Sequence, residues 1–252
     1  MVERAKNITA DINNISFNYA KTSIFEDFSL EIPNGISLGI LGGNGSGKTT
    51  LIKLIAGLEK AKKGNIKLFD TNLTNTIRSK IGYMPQQNAL YNDLTVLDNV
   101  DFFSRMYGIN KKSHRSKAIE NVLKTVDLWE RKNDSISTLS GGMQRRASLA
   151  CVLVHEPEFL LLDEPTVGLD PDLRVSFWEY FNKLTANGTT LLITSHTMDD
   201  AMHCDRLIFL KNGRIIAEDS PKGLLSATGN PNATLEDSFI YFNSKESGGK
   251  NV

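Results

Sequence analysis

An α/β fold with a helical lobe inserted into it is predicted by three features of this chain. Short apolar runs alternate with helical patterns toward both ends, the pattern turns helical for about fifty residues in the middle, and a glycine-rich loop stands between a strand and a helix.

The elements follow in order. Alternation through Ile12, Phe17 and Tyr19, and then residues 28–32, predicts two strands. Pro33, Asn34 and Gly35 make a turn, after which residues 36–41 read as a buried strand. The glycine-rich loop occupies residues 42–50, and residues 50–58 read as a helix closed near Gly57. Residues 66–69 and 81–84 have strand character. In the middle, Thr95 caps a helix that carries Val96, Val100 and Phe103 and stops at Gly108, while Ile119, Val122, Leu123 and Val126 form a second apolar stripe. The lobe is therefore expected between about residues 88 and 155. Its basic run KKSHRSK, residues 111–117, reads as a solvated helix start. Strands return at residues 159–162, 190–194, 207–210 and 214–217, with a helix around residues 175–184. Residues 226–252 read as a partly disordered extension whose polar end, SKESGGKNV, frays.

Composition limits the function. The 252 residues suffice for one α/β domain, and 29 basic residues balance 29 acidic ones, so no global field recommends nucleic acid or an anionic membrane as partner. The two cysteines, Cys151 and Cys204, lack metal or redox spacing and are expected to be buried reduced thiols, as suits the cytosol. No signal-peptide core opens the chain, and its apolar runs are too short to span a bilayer, so any membrane work requires another chain.

Gly42, Gly43, Asn44, Gly45, Ser46, Gly47, Lys48 and Thr49 complete the pattern GxxxxGK[ST], with Thr50 at the helix start. Glycines let successive backbone NH groups turn toward one anion, and the helix adds the positive end of its dipole. Lys48 can reach the β- and γ-phosphates of a nucleotide, and Thr49 can place its hydroxyl on Mg²⁺. Residues 159–162 end in Asp163 and Glu164, at the sheet edge where α/β folds bind ligands. Asp163 is suited to hold Mg²⁺ directly or through water, and Glu164 to orient and deprotonate the attacking water; the alternative is an acidic helix cap before Pro165. Leu139, Ser140, Gly141, Gly142, Met143 and Gln144 precede an apolar-periodic helix and offer a second anion site at a helix N-terminus. A γ-phosphate held in the first loop has another face to cover. Ser140, Gly141, Gly142 and Gln144 are therefore expected to close over nucleotide bound by a second subunit, in a dimer.

With these motifs in this order, the chain resembles the ATP-binding cassette family, and its nucleotide-binding subunits in particular, from about Ile8 to Leu225. Residues 42–49 look like its Walker A loop, 159–164 like Walker B and 139–144 like its signature motif. By the same resemblance Tyr19 is the adenine-stacking aromatic, Gln86 in GYMPQ is the Q-loop glutamine and a further Mg²⁺ ligand, residues 167–170 are the D-loop, and His196 is the switch histidine. Taken alone, Tyr19 reads as a core-packing aromatic, Gln86 as a surface residue, His196 as a capping histidine and Asp170 as a helix cap. The resemblance implies a P-loop NTPase (RecA-like) core with an inserted α-helical subdomain and an N-terminal antiparallel β subdomain, together one ATP-binding domain over residues 1–225. It further implies ATP hydrolysis with Mg²⁺ and the catalytic set Glu164, His196, Gln86 and Lys48. The sequence departs from the family pattern with VGLD where SALD is frequent, Asp200 where glutamate is common and Asp219 where glycine is common. None of these removes a phosphate-site group. The run PTVGLDP and residues 235–239 resemble the ATPases of ABC-2 type multidrug and polysaccharide exporters.

The expectation is thus an ATPase subunit that powers transport, in the direction of export, as a homodimer of cassettes on integral membrane permease subunits at the cytoplasmic face. An alternative is a non-transport cassette acting on ribosomes or DNA. Such relatives join two cassettes or insert coiled coils or zinc sites, whereas this chain has one cassette, no sustained heptads and no cysteine cluster. A small-molecule kinase would leave LSGGMQ without a role.

Overall fold

The computed structural model describes residues 7–248. β1 (Ile8–Tyr19) pairs antiparallel with β2 (Thr22–Pro33) on one side and, on the other, with β4 (Lys63–Leu68), which carries the short β5 (Thr71–Asn72). This is the expected N-terminal antiparallel sheet, in the order β2-β1-β4-β5. The second sheet holds β3 (Ser37–Leu41), β6 (Ile81–Met84), β7 (Phe159–Asp163), β8 (Thr190–Ser195), β9 (Arg206–Lys211) and β10 (Arg214–Asp219), in the order β10-β9-β3-β8-β7-β6. All neighbours are parallel except β10, an antiparallel edge strand. Every residue of β3, β7 and β8 is buried, which is why these strands read as unbroken apolar runs. Because β3, β6, β7 and β8 point the same way, the residues that follow them meet at one edge.

Helices cover both faces. α1 (Lys48–Ile55) follows β3 and buries Leu51, Ile52, Leu54 and Ile55 in a core shared with β1 and β2. It starts two residues before the predicted helix and leaves the helical path earlier, with Gly57 at φ 70. After a single-turn α2 (Asn75–Arg78), the stretch between β6 and β7 holds the lobe, built from α3 (Val96–Met106), α4 (Lys112–Thr125) and α5 (Gly141–Leu153). Thr95 caps α3 as expected, accepting from the Asp98 NH at 3.0 Å. The basic run at the start of α4 is not wholly solvated. Arg115 is buried there, donating to Asp101 at 2.6 Å and to the Ile109 and Asn110 carbonyls, so one charge of the run staples α4 to α3. Both cysteines are free and buried.

α6 (Pro171–Ala186), the single-turn α7 (Met198–Ala201), α8 (Pro221–Ser226) and α9 (Leu235–Gly248) complete the chain. α9 packs Phe239 and Phe242 against Phe209 of β9. Residues 244–248 of the polar tail, expected to fray, continue this helix, and residues 249–252 lie outside the described residues.

The β9–β10 turn reaches the glycine-rich loop. Asn212 and Gly213 both have positive φ, 46 and 72, the backbone of a tight two-residue hairpin, and the Gly213 NH donates to the Ser46 carbonyl at 3.0 Å. A Cβ on Gly213 would collide with the Ile24 carbonyl. Gly213→Ala is therefore expected to cost at least about 2 kcal/mol and lower the melting temperature by about 4 °C or more, read by calorimetry.

Candidate functional site

A cavity of about 230 Å³ opens at the carboxyl edge of the parallel sheet, lined by residues 44–50 with Ile24, Gln86 and Glu164. The backbone leaves β3 at Leu41 and turns through Gly42, where a Cβ would collide with the Leu210 carbonyl. Gly47, at φ 113, starts α1 against the ring of Phe25, which ties the loop to the N-terminal sheet. Lys48 lies back over this loop, its Nζ donating to the Gly42 and Gly43 carbonyls at 2.6 and 3.1 Å. Burial draws its pKa below the ordinary value, against the opposing pull of Glu164 and Asp163. An ammonium so placed is held by neutral carbonyls and is available to a stronger acceptor such as a phosphate oxygen.

Asp163 ends β7, two strands away from β3, and Glu164 follows it. Asp163 is wholly buried; its Oδ1 accepts from the Thr194 hydroxyl of β8 at 2.5 Å, while Oδ2 has no hydrogen-bond partner among the described residues. A buried carboxylate oxygen without a donor is the donor atom a hard cation takes. Glu164 has φ 55, in the left-handed region, a conformation that costs about 1–3 kcal/mol in a residue other than glycine. Its Oε2 accepts from Gln86 Nε2 at 3.0 Å and lies 2.8 Å from His196 Nε2. The structure thus brings Gln86, two residues past β6, and His196, directly after β8, onto one oxygen of Glu164, which directly follows β7.

Other expected residues stand apart from this cavity. Tyr19, 39% exposed, packs edge-on against Phe17 at 4.8 Å near the β1–β2 turn, with its hydroxyl 3.4 Å from Glu59. Ser140 and Gly141 are exposed at the start of α5, and Ser140 Oγ accepts from the Met143 NH at 3.3 Å. Gln144 turns inward, donating to the Ile136 and Leu139 carbonyls at 3.2 Å each, so its side chain steadies the turn before α5. Asp170 caps α6, accepting from the Leu173 NH at 3.1 Å.

Three polar residues that the motifs do not single out hold the edge together. Thr194 donates to Asp163 and accepts from the Glu164 NH at 3.2 Å. Asp200, 3% exposed, accepts at Oδ2 from Thr166 and Thr197, both at 2.6 Å, and at Oδ1 from Trp178 at 3.0 Å. Burial pushes its pKa upward, but the hydrogen bonds from Thr166, Thr197 and Trp178 outweigh that and hold it below the usual carboxylate range. It fastens the segment after Glu164 to the segment after His196. Arg145 of α5, 4% exposed, donates to backbone carbonyls at the ends of both β6 and β7. The sequence carries no signal for this role, since Arg145 stands three residues after the glycine pair and its burial against acceptors follows only from the fold.

The family described as ABC transporter matches residues 25–167. The linearmycin resistance ATP-binding protein LnrL of Bacillus subtilis is 40% identical over 220 residues, 86% of this chain and 70% of that protein. The Nod factor export ATP-binding protein I of Sinorhizobium fredii is 36% identical over 86% of this chain and 64% of its own length. ABC transporter G family member 20 of Dictyostelium discoideum is 33% identical over 93% of this chain, which spans only 32% of that relative. Among solved structures, an ATP binding subunit of an ABC transporter superposes with TM-score 0.85 at 26% identity, covering 93% of this chain and 99% of that one. A dimeric post-hydrolysis state of the ATP-binding cassette MJ0796 bound to ADP and Pi gives TM-score 0.77 at 28% identity, covering 84% of this chain and 98% of that one.

Thr194→Val keeps the shape of the side chain but removes the donor to a wholly buried carboxylate. The expected loss is about 2 kcal/mol of unfolding free energy at pH 7, measured by urea titration, because a buried charge loses a hydrogen bond without gaining water.

Proposed function

Because the chain belongs to the ABC transporter family and contains its ATPase domain, we propose that it is the ATP-hydrolysing subunit of an exporter and drives separate membrane-spanning partners. The observation that carries the reading is the meeting of Gln86 and His196 on Glu164 Oε2, beside the loop that holds Lys48. Glu164 takes a proton from water as the water oxygen bonds to the γ-phosphorus. The bond from that phosphorus to the bridging oxygen breaks, and ADP and inorganic phosphate are released. Gln86 and His196 aim the carboxylate and the water. Lys48 exchanges the Gly42 and Gly43 carbonyls for phosphate oxygens, the NH groups of residues 43–49 surround the remaining charge, and Tyr19 stacks on the adenine.

The donors fit Mg²⁺. Thr49 and Asp163, with Gln86, supply the oxygens such an ion takes, and the unpartnered Asp163 Oδ2 supports a cation there. When bound, Mg²⁺ neutralises charge that develops on the phosphate oxygens.

Two further features support the assembly. Ser140 and Gly141 are exposed at a helix N-terminus and do not line this chain's own cavity, which fits a second copy contributing them to complete the site. Tyr91, Leu94, Phe102 and Met106 are exposed large apolar residues along α3 and the segment leading from Gln86 to it. The buried Asn99 fixes that segment by bonding the Tyr91 NH and carbonyl at 2.8 and 3.1 Å. A rigid apolar surface next to Gln86 suits a permease helix whose movement is coupled to closure of the dimer. No helix among the described residues is long and apolar enough to cross a membrane, so the crossing is assigned to the partners, with this chain at the cytoplasmic face.

Glu164→Gln is expected to bind ATP and accumulate as an ATP-dependent dimer in light scattering, while phosphate release falls by about a hundredfold or more. Lys48→Ala should instead lose nucleotide affinity, read with a fluorescent ADP analogue. Normal turnover by the Glu164 variant would remove that residue from its role. Gentle detergent extraction should bring an integral membrane protein with the chain; its absence would count against the transporter.

A further inference from the structure

The water-activating carboxylate assigned above is held in a strained backbone, and two side chains outside the phosphate-binding residues touch that backbone directly, Thr194 at its NH and Arg145 at its carbonyl. Arg145 sits one helical turn into α5, with its guanidinium driven into the sheet edge. One terminal nitrogen donates to the Pro85 and Gln86 carbonyls at 2.8 and 2.9 Å and to Asn88 Oδ1 at 3.2 Å. The other donates to the Asp163 and Glu164 carbonyls at 2.5 and 2.7 Å. The guanidinium therefore spans the two chain segments whose side chains, Gln86 and Glu164, meet 3.0 Å apart on its far side.

The physical case rests on what those carbonyls would do without it. Four backbone oxygens converge here, those of Asp163 and Glu164 buried and those of Pro85 and Gln86 part-buried, and their mutual repulsion favours moving the two segments apart. A planar cation with donors in a fixed fork satisfies both pairs at once and fixes their separation. The Glu164 peptide has particular need of this, because φ 55 persists only where the surroundings enforce it. Its NH is held from the other side by the Thr194 carbonyl and hydroxyl at 3.1 and 3.2 Å. The residue is thus clamped at NH by β8 and at carbonyl by Arg145. Burial lowers the pKa of the guanidinium, while Asp163 and Glu164 pull it back up, so the cation and the two carboxylates stabilise one another.

We propose that Arg145 is a positioning residue for hydrolysis: it fixes the Glu164 backbone and the Gln86 segment at the separation that aims Glu164 Oε2 at the attacking water. It touches neither nucleotide nor water. Its removal should leave the glycine-rich loop and Lys48 intact, so binding and turnover should part company.

This inference rests on the role of Glu164 stated above, and the test separates the two. The purified full chain and its Arg145→Gln, Arg145→Lys and Glu164→Gln variants are compared for melting temperature, stoichiometry and affinity for a fluorescent ADP analogue, and steady-state Mg-ATP turnover. For Arg145→Gln, kcat is expected to fall at least about tenfold while the stoichiometry is unchanged and Kd stays within about threefold. Arg145→Lys should fall between it and the unsubstituted chain, since an ammonium can serve one pair of carbonyls but not both. Turnover by Arg145→Gln within about twofold of the unsubstituted chain overturns the proposal, and so does a loss of kcat matched by an equal loss of bound nucleotide, the mark of misfolded protein. Should Arg145→Gln fail to fold, Arg145→Lys decides by the same two criteria: a kcat reduced at full stoichiometry supports the proposal and an unchanged kcat overturns it. An inactive unsubstituted chain, or a fully active Glu164→Gln variant, defeats the reading of Glu164 and this proposal with it. An active chain with an inactive Glu164→Gln and a normal Arg145→Gln defeats only the role of Arg145.

Discussion

The hydrogen bond from Thr194 to Asp163, 2.5 Å long between neighbouring strands, joins the two strand ends on which the charged groups of this edge are built. Asp163 is buried because β7 has β6 on one side and β8 on the other, with helices over both faces. A carboxylate there would be strongly disfavoured unless donors were supplied at once, and the adjacent strand supplies one with little loss of side-chain freedom. The same threonine then receives the Glu164 NH. One hydroxyl in a parallel ladder therefore touches both residues, the carboxylate of Asp163 and the backbone of Glu164. The sheet side of Asp163 is taken, which leaves Oδ2 as its unpartnered oxygen among the described residues.

That constraint explains why so much charge can be buried at one edge of a sheet. Arg145, Asp200, Lys48, Asp163 and Glu164 are all less than about a tenth exposed, a concentration that would ordinarily unfold a domain. Arg145, Asp200 and Glu164 are instead fitted with several partners on different segments, while Asp163 takes the Thr194 hydroxyl and Lys48 two carbonyls of its own loop. Asp200 draws on the segment after β7, the segment after β8 and α6, and Arg145 on the ends of β6 and β7. The charged groups thus act as fasteners between the segments that leave this edge of the sheet. Apolar packing holds the sheet, but the relative positions of Gln86, Glu164 and His196 are held by polar contacts, which are directional where packing is not.

Legibility in the sequence followed this division. Buried parallel strands appear as unbroken apolar runs, so β3, β6, β7 and β8 were recognisable within a residue or two, and the loop after β3 declared itself through spacing that few other structures require. Single-turn elements such as α2 and α7 carry too little pattern to be seen. α9 was obscured by its polar end, and its docking through Phe239 and Phe242 depends on Phe209, some thirty residues earlier, which no local window contains. Arg115 was misjudged for the same reason: a basic run looks solvated until Asp101 of another helix is known to face it. Arg145 and Asp200 were missed as site residues because their partners are mostly backbone carbonyls and threonine hydroxyls, groups that leave no signature in sequence.

The polar fasteners also bear on why the Ser140 end of α5 is left exposed. Gly142 lies so close to the Gly168 carbonyl that a Cβ there would stand 3.0 Å from it, and Gly168, at φ 80, belongs to the turn between Glu164 and α6. The start of α5 is therefore seated on the segment that follows this chain's own carboxylates, while Arg145, one turn further in, grips those carboxylates' backbone. A helix held at both points cannot tilt without disturbing Glu164. Contact made by Ser140 and Gly141 with an outside anion would bear on a helix already bolted to the edge that carries Glu164, and the first two turns of α5 would respond as one rigid body. The exposure of the first residues of α5 and the burial of the turn that follows are thus complementary requirements on a single helix, met by glycines where backbone must lie open and by an arginine where it must be clamped.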